Sequence, residues 1–147
     1  MANRLSGSNN EPLKIQFITD THYYSRKTGT SGSAYEKEES KSQMVIKDSD
    51  LVLKKAFDML CEDTSTDIVV LSGDTTRNGE IDSHTEFIEM LRDLKKRGKR
   101  VYVITATHDF QDGGVTNGFE GDKQIKVPAV ADRHDLWDMY YEFGPNE

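Results

Sequence analysis

Three short runs of apolar residues, rich in β-branched side chains, divide the chain, and polar or glycine-rich residues follow each of them. The runs span residues 13–19, 67–72 and 100–105. The second and third are nearly continuous in apolar residues, which is typical of strands covered on both faces of a parallel sheet. The pattern therefore predicts three strands, with helices on both sides of the sheet.

Helical periodicity occupies the stretches between and after these runs. Residues 42–62 carry apolar side chains at three- and four-residue intervals, which predicts a helix connecting the first two strands. A second helix is indicated by Ser83 and Glu86, spaced as a capping box, followed by an apolar face, a basic last turn and Gly98. Residues 133–143 predict a last amphipathic helix.

This β-α-β-α-β order predicts an α/β fold, because right-handed crossovers place all three strands parallel. Residues 23–41 and 109–132 lie outside the pattern, and their length and polarity predict long loops. The polar residues 1–12 are expected to form an N-terminal tail, and residues 13–147 a single domain.

Composition and charge argue against several classes of protein. The chain has 147 residues, with 19 Lys and Arg against 26 Asp and Glu, for a net charge of −7. This acidic balance argues against general nucleic-acid binding and against binding to anionic membrane surfaces. A single cysteine, Cys61, leaves no disulfide framework within the chain, and no apolar run reaches the roughly 20 residues that a membrane span needs. Without an export signal in the given chain, a cytoplasmic location is the default expectation, and export stays open if a leader was removed.

Chemistry-bearing side chains follow each predicted strand, where the carboxyl ends of parallel strands share one edge. Asp20 and His22 follow the first strand, Asp74 follows the second, and His108 with Asp109 follow the third. Crowded carboxylates repel one another, so such a cluster is typical of a cation site, and oxygen with imidazole ligands suits Mn, Fe or Zn. Turns and helix caps also place Asp after strands, and this alternative explains any one of the three groups taken alone.

The three groups together resemble the first three motifs of the calcineurin-like metallophosphoesterases. The matching motifs are Asp20-x-His22, Gly73-Asp74-x-x-x-x-Gly79 and His108-Asp109 at the end of a strand. The resemblance spans about residues 14–109. It implies the β-α-β-α-β half of that family's sandwich, with mostly parallel strands and flanking helices.

The resemblance also implies an activity and a role for each residue. The activity would be hydrolysis of phosphomonoesters or phosphodiesters at two divalent metal ions, with in-line attack of water on phosphorus. Asp20 and His22 would ligate the first metal, and Asp74 would bridge both. His108 and Asp109 would be the catalytic residues, with His108 protonating the leaving group or stabilising the transferring phosphoryl group.

Arg77 is a further candidate for the site. Arg77 stands where the protein serine/threonine phosphatases carry an acid, so the resemblance favours a phosphodiesterase-like subgroup acting on a small-molecule or nucleotide phosphoester. As a cation beside the site, Arg77 is a candidate for substrate binding, and a solvated loop arginine is the alternative. Tyr23 and Tyr24 are expected to pack their loop against the core, and His84 and His134 to lie at the surface.

Two departures from the family pattern leave a second function open. Ala106 and Thr107 precede His108 where the family usually has Gly-Asn, and no Gly-His-x-His segment follows Asp109 in the given chain. The domain is therefore expected to be incomplete at its C-terminal end, or the chain to be a degenerate relative. A degenerate relative would be a non-catalytic metal- or anion-binding module that contacts a partner protein.

Overall fold

The predicted parallel sheet is present in a computed structural model, which describes residues 12–144. Its strands are β1 (Ile15–Ile18), β2 (Ile68–Ser72) and β3 (Arg100–Ile104), in the order β1-β2-β3. Both pairings are parallel, with Ile15 opposite Ile68 and Ile68 opposite Arg100. The α/β fold class with three parallel strands is confirmed.

Four α-helices and three short 3-10 turns accompany the strands. The helices are α1 (Ser33–Glu39), α2 (Ser49–Glu62), α3 (Ile81–Lys96) and α4 (Arg133–Met139). The 3-10 turns are Arg26–Thr28, Thr107–Asp109 and Tyr141–Phe143. No helix within residues 12–144 combines the length and the hydrophobicity needed to cross a membrane.

The main core lies on one face of the sheet. Val69, Leu71 and Val101 point to this face and are almost fully buried. Side chains of three helices and of the last turn join them in one cluster, namely Leu53, Phe57, Leu60, Phe87, Leu91, Leu94, Leu136, Tyr140 and Phe143. The opposite face carries Phe17, which is exposed, so the prediction of helices on both sides is not met within residues 12–144.

The start of α3 differs from the predicted capping box. The helix begins at Ile81, so Ser83 lies inside its first turn. The Ser83 hydroxyl accepts the main-chain N–H of Ser25 at 3.0 Å, and the Glu86 carboxylate accepts the Tyr23 hydroxyl at 2.7 Å. The prediction of a capping box is wrong, because the Ser83 and Glu86 side chains instead accept hydrogen bonds from the segment that follows β1.

The two predicted loops contain regular structure and a second core. Residues 23–41 include α1, and residues 109–132 form an antiparallel hairpin of β4 (Val115–Glu120) and β5 (Lys123–Pro128). A second apolar cluster joins these two segments, and its buried members are Tyr24, Tyr35, Ile46 and Phe119. The loop prediction was wrong because single large side chains, rather than a periodic pattern, hold these segments.

The second core also explains why α2 begins later than expected. Ile46 packs with Tyr24 and Phe119 instead of continuing the helix, so α2 begins at Ser49 rather than at residue 42. Gly29 brings the hairpin close, because its φ of 95° is open to glycine and an added Cβ would collide with the Phe119 carbonyl oxygen.

Candidate metal centre

The segments that follow the three parallel strands lie side by side. Main-chain pairing continues past the strand ends, since the Asp20 N–H donates to the Gly73 carbonyl at 3.2 Å and the His22 N–H to the Asp74 carbonyl at 3.0 Å. The Gly73 N–H donates in turn to the Ile104 carbonyl at 2.7 Å. The spacing of the predicted ligands is therefore set by the backbone.

Asp20, His22 and Asp74 form one cluster, as the strand-end arrangement predicted. Each residue offers one ligand atom, and these atoms lie within 4.8 Å of one another. His22 Nε2 is 3.8 Å from Asp20 Oδ1, and the buried His22 Nδ1 has no hydrogen-bond partner among the described residues. Two carboxylates beside an imidazole with an unpaired nitrogen are a donor set that fits a divalent metal ion.

The same three residues share an unusual backbone conformation. Their φ angles are 54° at Asp20, 41° at His22 and 47° at Asp74, and within residues 12–144 they are the non-glycine residues with positive φ. This left-handed conformation costs of the order of 1 kcal/mol at each residue and persists where the surroundings impose it. Its concentration at the three predicted ligands indicates a functional site.

His108 lies beside the cluster. Its ring packs edge-on against the His22 ring, with the centroids 5.0 Å apart. The His108 main-chain N–H donates to Asp74 Oδ1 at 3.0 Å, and His108 Nδ1 lies 2.9 Å from the Arg77 carbonyl oxygen. Because a carbonyl oxygen only accepts, Nδ1 carries the hydrogen of this contact, and Nε2 of the neutral ring is the nitrogen with a lone pair.

Asp109 is fully buried and holds the motif segments together. Its Oδ1 accepts the Thr75 hydroxyl at 2.6 Å and the Thr76 main-chain N–H at 2.9 Å. Its Oδ2 accepts the Ala106 main-chain N–H at 2.8 Å. These contacts join the second motif to the third, and the catalytic role that the resemblance implied for Asp109 stays a prediction.

Comparison with known protein families tests the family assignment. A family model described as Calcineurin-like phosphoesterase matches residues 13–146. The chain belongs to this family. The match confirms the family that the three motifs predicted, a family of hydrolases that typically bind divalent metals. No curated protein matches the chain.

A buried histidine supports Asp109, and the sequence prediction of a surface position for this histidine was wrong. His84 is fully buried on α3. Its Nε2 donates to the Asp109 carbonyl at 2.8 Å, so its Nδ1 accepts from the Tyr140 hydroxyl at 2.7 Å. Burial lowers the pKa of His84, and the hydrogen bond and charge of Asp109 offset only part of that effect. The available signal was spacing, since His84 precedes Phe87 and Ile88 by three and four residues on the apolar face of α3.

Arg77 is buried rather than solvated. The side chain is 7% exposed and pairs with Glu38 at 2.7 Å. Its guanidinium carbon lies 5.4 Å from the centre of the Tyr24 ring. The solvated-loop alternative is therefore wrong, and a substrate contact by Arg77 stays a prediction. Tyr23 and Tyr24 are buried against the core, as predicted.

Proposed function

We propose that this phosphoesterase hydrolyses phosphomonoesters or phosphodiesters at a metal centre formed by Asp20, His22 and Asp74. The observation that carries the proposal is the convergence of these three residues, all at positive φ, with one ligand atom from each within 4.8 Å of the others. A bound divalent ion such as Mn, Fe or Zn supplies Lewis acidity that polarises a phosphoryl oxygen and lowers the pKa of water. Phosphodiesters are proposed ahead of phosphoproteins, because Arg77 stands where protein phosphatases carry an acid.

His108 is proposed as the residue that exchanges a proton with the leaving-group oxygen. Its Nδ1 hydrogen bond to the Arg77 carbonyl fixes the ring, and its main-chain bond to Asp74 fixes its distance from the ligands. Protonated Nε2 donates to the leaving group or to a phosphoryl oxygen, which is the form of general-acid catalysis that phosphoester cleavage needs.

A second metal ion is proposed to share Asp74. Thr107 is exposed in the third motif and offers a hydroxyl where the family's usual Asn offers an amide oxygen. A neutral hydroxyl is the weaker ligand, so the second ion is expected to bind less tightly than the first.

The substitution Asp74→Asn tests the proposal. We expect it to reduce Mn²⁺-dependent hydrolysis of bis(4-nitrophenyl) phosphate by at least about 100-fold, because the centre loses a charged ligand worth several kcal/mol to the transition state. The matched control is Asp112→Asn, an exposed carboxylate in the turn after the third motif, which should retain activity. Full activity of the Asp74 variant would contradict the proposed metal centre.

The substitution His108→Asn tests whether His108 is the proton donor or a metal ligand. It should lower kcat while leaving the Mn²⁺ content of the protein unchanged, measured by elemental analysis after desalting. Loss of Mn²⁺ would make His108 a ligand instead of the proton donor.

A non-catalytic metal-binding module is the second candidate. It is favoured by the small size of the cluster, since the grouping found within residues 12–144 has three members. It predicts one tightly bound Mn²⁺ per chain and no hydrolysis of the aryl phosphodiester, whereas the two-metal proposal predicts hydrolysis that rises as a second, weaker ion binds.

A further inference from the structure

A cleft of about 430 Å³ opens beside the metal centre. Asp20 and His22 line this cleft, so the cleft and the ligand cluster share residues. Much of the remaining wall is apolar and includes Met44, Val45, Val52 and Leu53. The volume lies within the range of about 300–1,000 Å³ that small-molecule sites occupy.

The apolar wall is open to a ligand. Val45, in the segment before α2, and Val52, on the second turn of α2, are both exposed and both line the cleft. Apolar side chains exposed in a concave surface next to a chemical centre are typical of ligand-binding sites.

The charges of the residues that line the cleft limit the kind of leaving group that the cleft can bind. The described residues that line the cleft include no Lys or Arg, Asp20 is acidic, and the chain carries a net charge of −7. Apart from the metal ion proposed at Asp20 and His22, the lining residues offer no cation to further phosphates or carboxylates on the leaving group, whereas an uncharged apolar group gains free energy by leaving water.

We infer that the cleft binds an apolar leaving group, aryl or alkyl, of a phosphoester whose phosphoryl group lies at Asp20, His22 and Asp74. This inference rests on the proposed function, because the metal centre fixes one end of the substrate. In the reaction, a water oxygen bonds to phosphorus, the bond between phosphorus and the leaving-group oxygen breaks, and a proton passes to that oxygen. The products are an alcohol or phenol, which leaves the cleft, and the phosphate or phosphomonoester.

Binding of alkylphosphonic acids tests the inference apart from catalysis. Dissociation constants for the series from methyl- to hexylphosphonic acid are measured by calorimetry, with and without Mn²⁺. In the presence of Mn²⁺ the affinity should rise about fourfold for each methylene that enters the cleft. A flat series, with binding that still requires Mn²⁺, overturns the apolar cleft and leaves the proposed function standing. Absence of any Mn²⁺-dependent binding overturns both.

A pair of neighbouring substitutions on α2 locates the effect. Val52 lines the cleft and is 61% exposed, whereas Leu51 does not line it and is 56% exposed. Val52→Asp should remove the dependence on chain length and weaken hexylphosphonic acid binding at least tenfold, and Leu51→Asp should preserve both. Equal weakening by the two variants, or none by Val52→Asp, contradicts the inference. Both positions are exposed, and circular dichroism confirms that each variant folds.

Discussion

The two sides of the metal centre are held in different ways. On the third-motif side, Asp109 is fully buried, and His84 and Tyr140 are buried behind it in a continuous hydrogen-bonded network. On the first-motif side, the Asp20 side chain is 61% exposed and borders the apolar cleft. The comparison separates two tasks, because the buried side fixes the positions of the motifs and the open side can admit a ligand.

Removal of the Asp109 carboxylate should give the largest difference between the two sides. Asp109→Ala leaves the buried donors of Thr75 and Thr76 and the half-buried N–H of Ala106 without their acceptor, which should lower the free energy of unfolding by about 3–5 kcal/mol. On the open side, Asp20→Asn should change the free energy of unfolding by less than about 0.5 kcal/mol. Urea unfolding followed by circular dichroism measures both, and equal losses would show that the two sides are not distinct.

Removal of a single hydroxyl probes the same network more gently. Tyr140→Phe keeps the ring but leaves the buried Nδ1 of His84 without a donor, which should cost about 1–3 kcal/mol of unfolding free energy. Tyr141→Phe is the matched control, because Tyr141 is exposed, and it should change stability by less than about 0.5 kcal/mol. A Tyr140 variant as stable as the wild type would mean that the hydroxyl does not support His84.

The pH dependence of stability should reveal the buried imidazole. Burial lowers the pKa of His84 in the folded protein, so below about pH 6.5 the unfolded chain binds the proton more readily. The stability associated with neutral His84 is therefore complete above that pH and falls with acidification by at most about 1.4 kcal/mol per pH unit. Unfolding free energies of the wild type and His84→Gln, compared between pH 7.5 and 5.5, should diverge, and parallel curves would contradict the assignment.

The smallest effect is expected at the histidine of α4. His134 is exposed, as predicted, and its Nδ1 lies 3.6 Å from Asp138 Oδ2, one helical turn away. Exposed pairs of this kind contribute little, so His134→Ala should change the free energy of unfolding by less than about 0.5 kcal/mol. A loss comparable to that of Tyr140→Phe would remove the contrast between buried and exposed polar groups.

The parts of the fold whose apolar residues follow a regular period were predictable from the sequence. Three β-like runs and the apolar face of α3 have the periods of regular structure, so the parallel sheet and this helix followed from the pattern. The side chains of the second core follow no helical or strand period, because Phe119 comes from a segment far along the chain from Tyr24 and Tyr35. Its contacts arise only when the hairpin folds back onto the first loop, which is why the hairpin and α1 were missed.

The site was predictable in position and less so in orientation. Strand ends share an edge, so the meeting of Asp20, His22 and Asp74 followed from the order of the strands. The directions of the Asp109 and Arg77 side chains depend on partners in other segments, and no local pattern identifies those partners. The positive φ angles likewise result from pairing between segments.

The main-chain bonds beyond the strand ends make the ligand positions independent of the ligand side chains. Main-chain hydrogen bonds pair Asp20 with Gly73 and His22 with Asp74, so a substitution of the side chain leaves these main-chain hydrogen bonds in place. Replacing one carboxylate with an imidazole or a thiolate would move the donor set toward ions that prefer softer ligands, such as zinc, while oxygen donors keep it suited to manganese. The metal preference of the protein can therefore be redesigned by substituting the ligand side chains at this edge of the sheet one at a time.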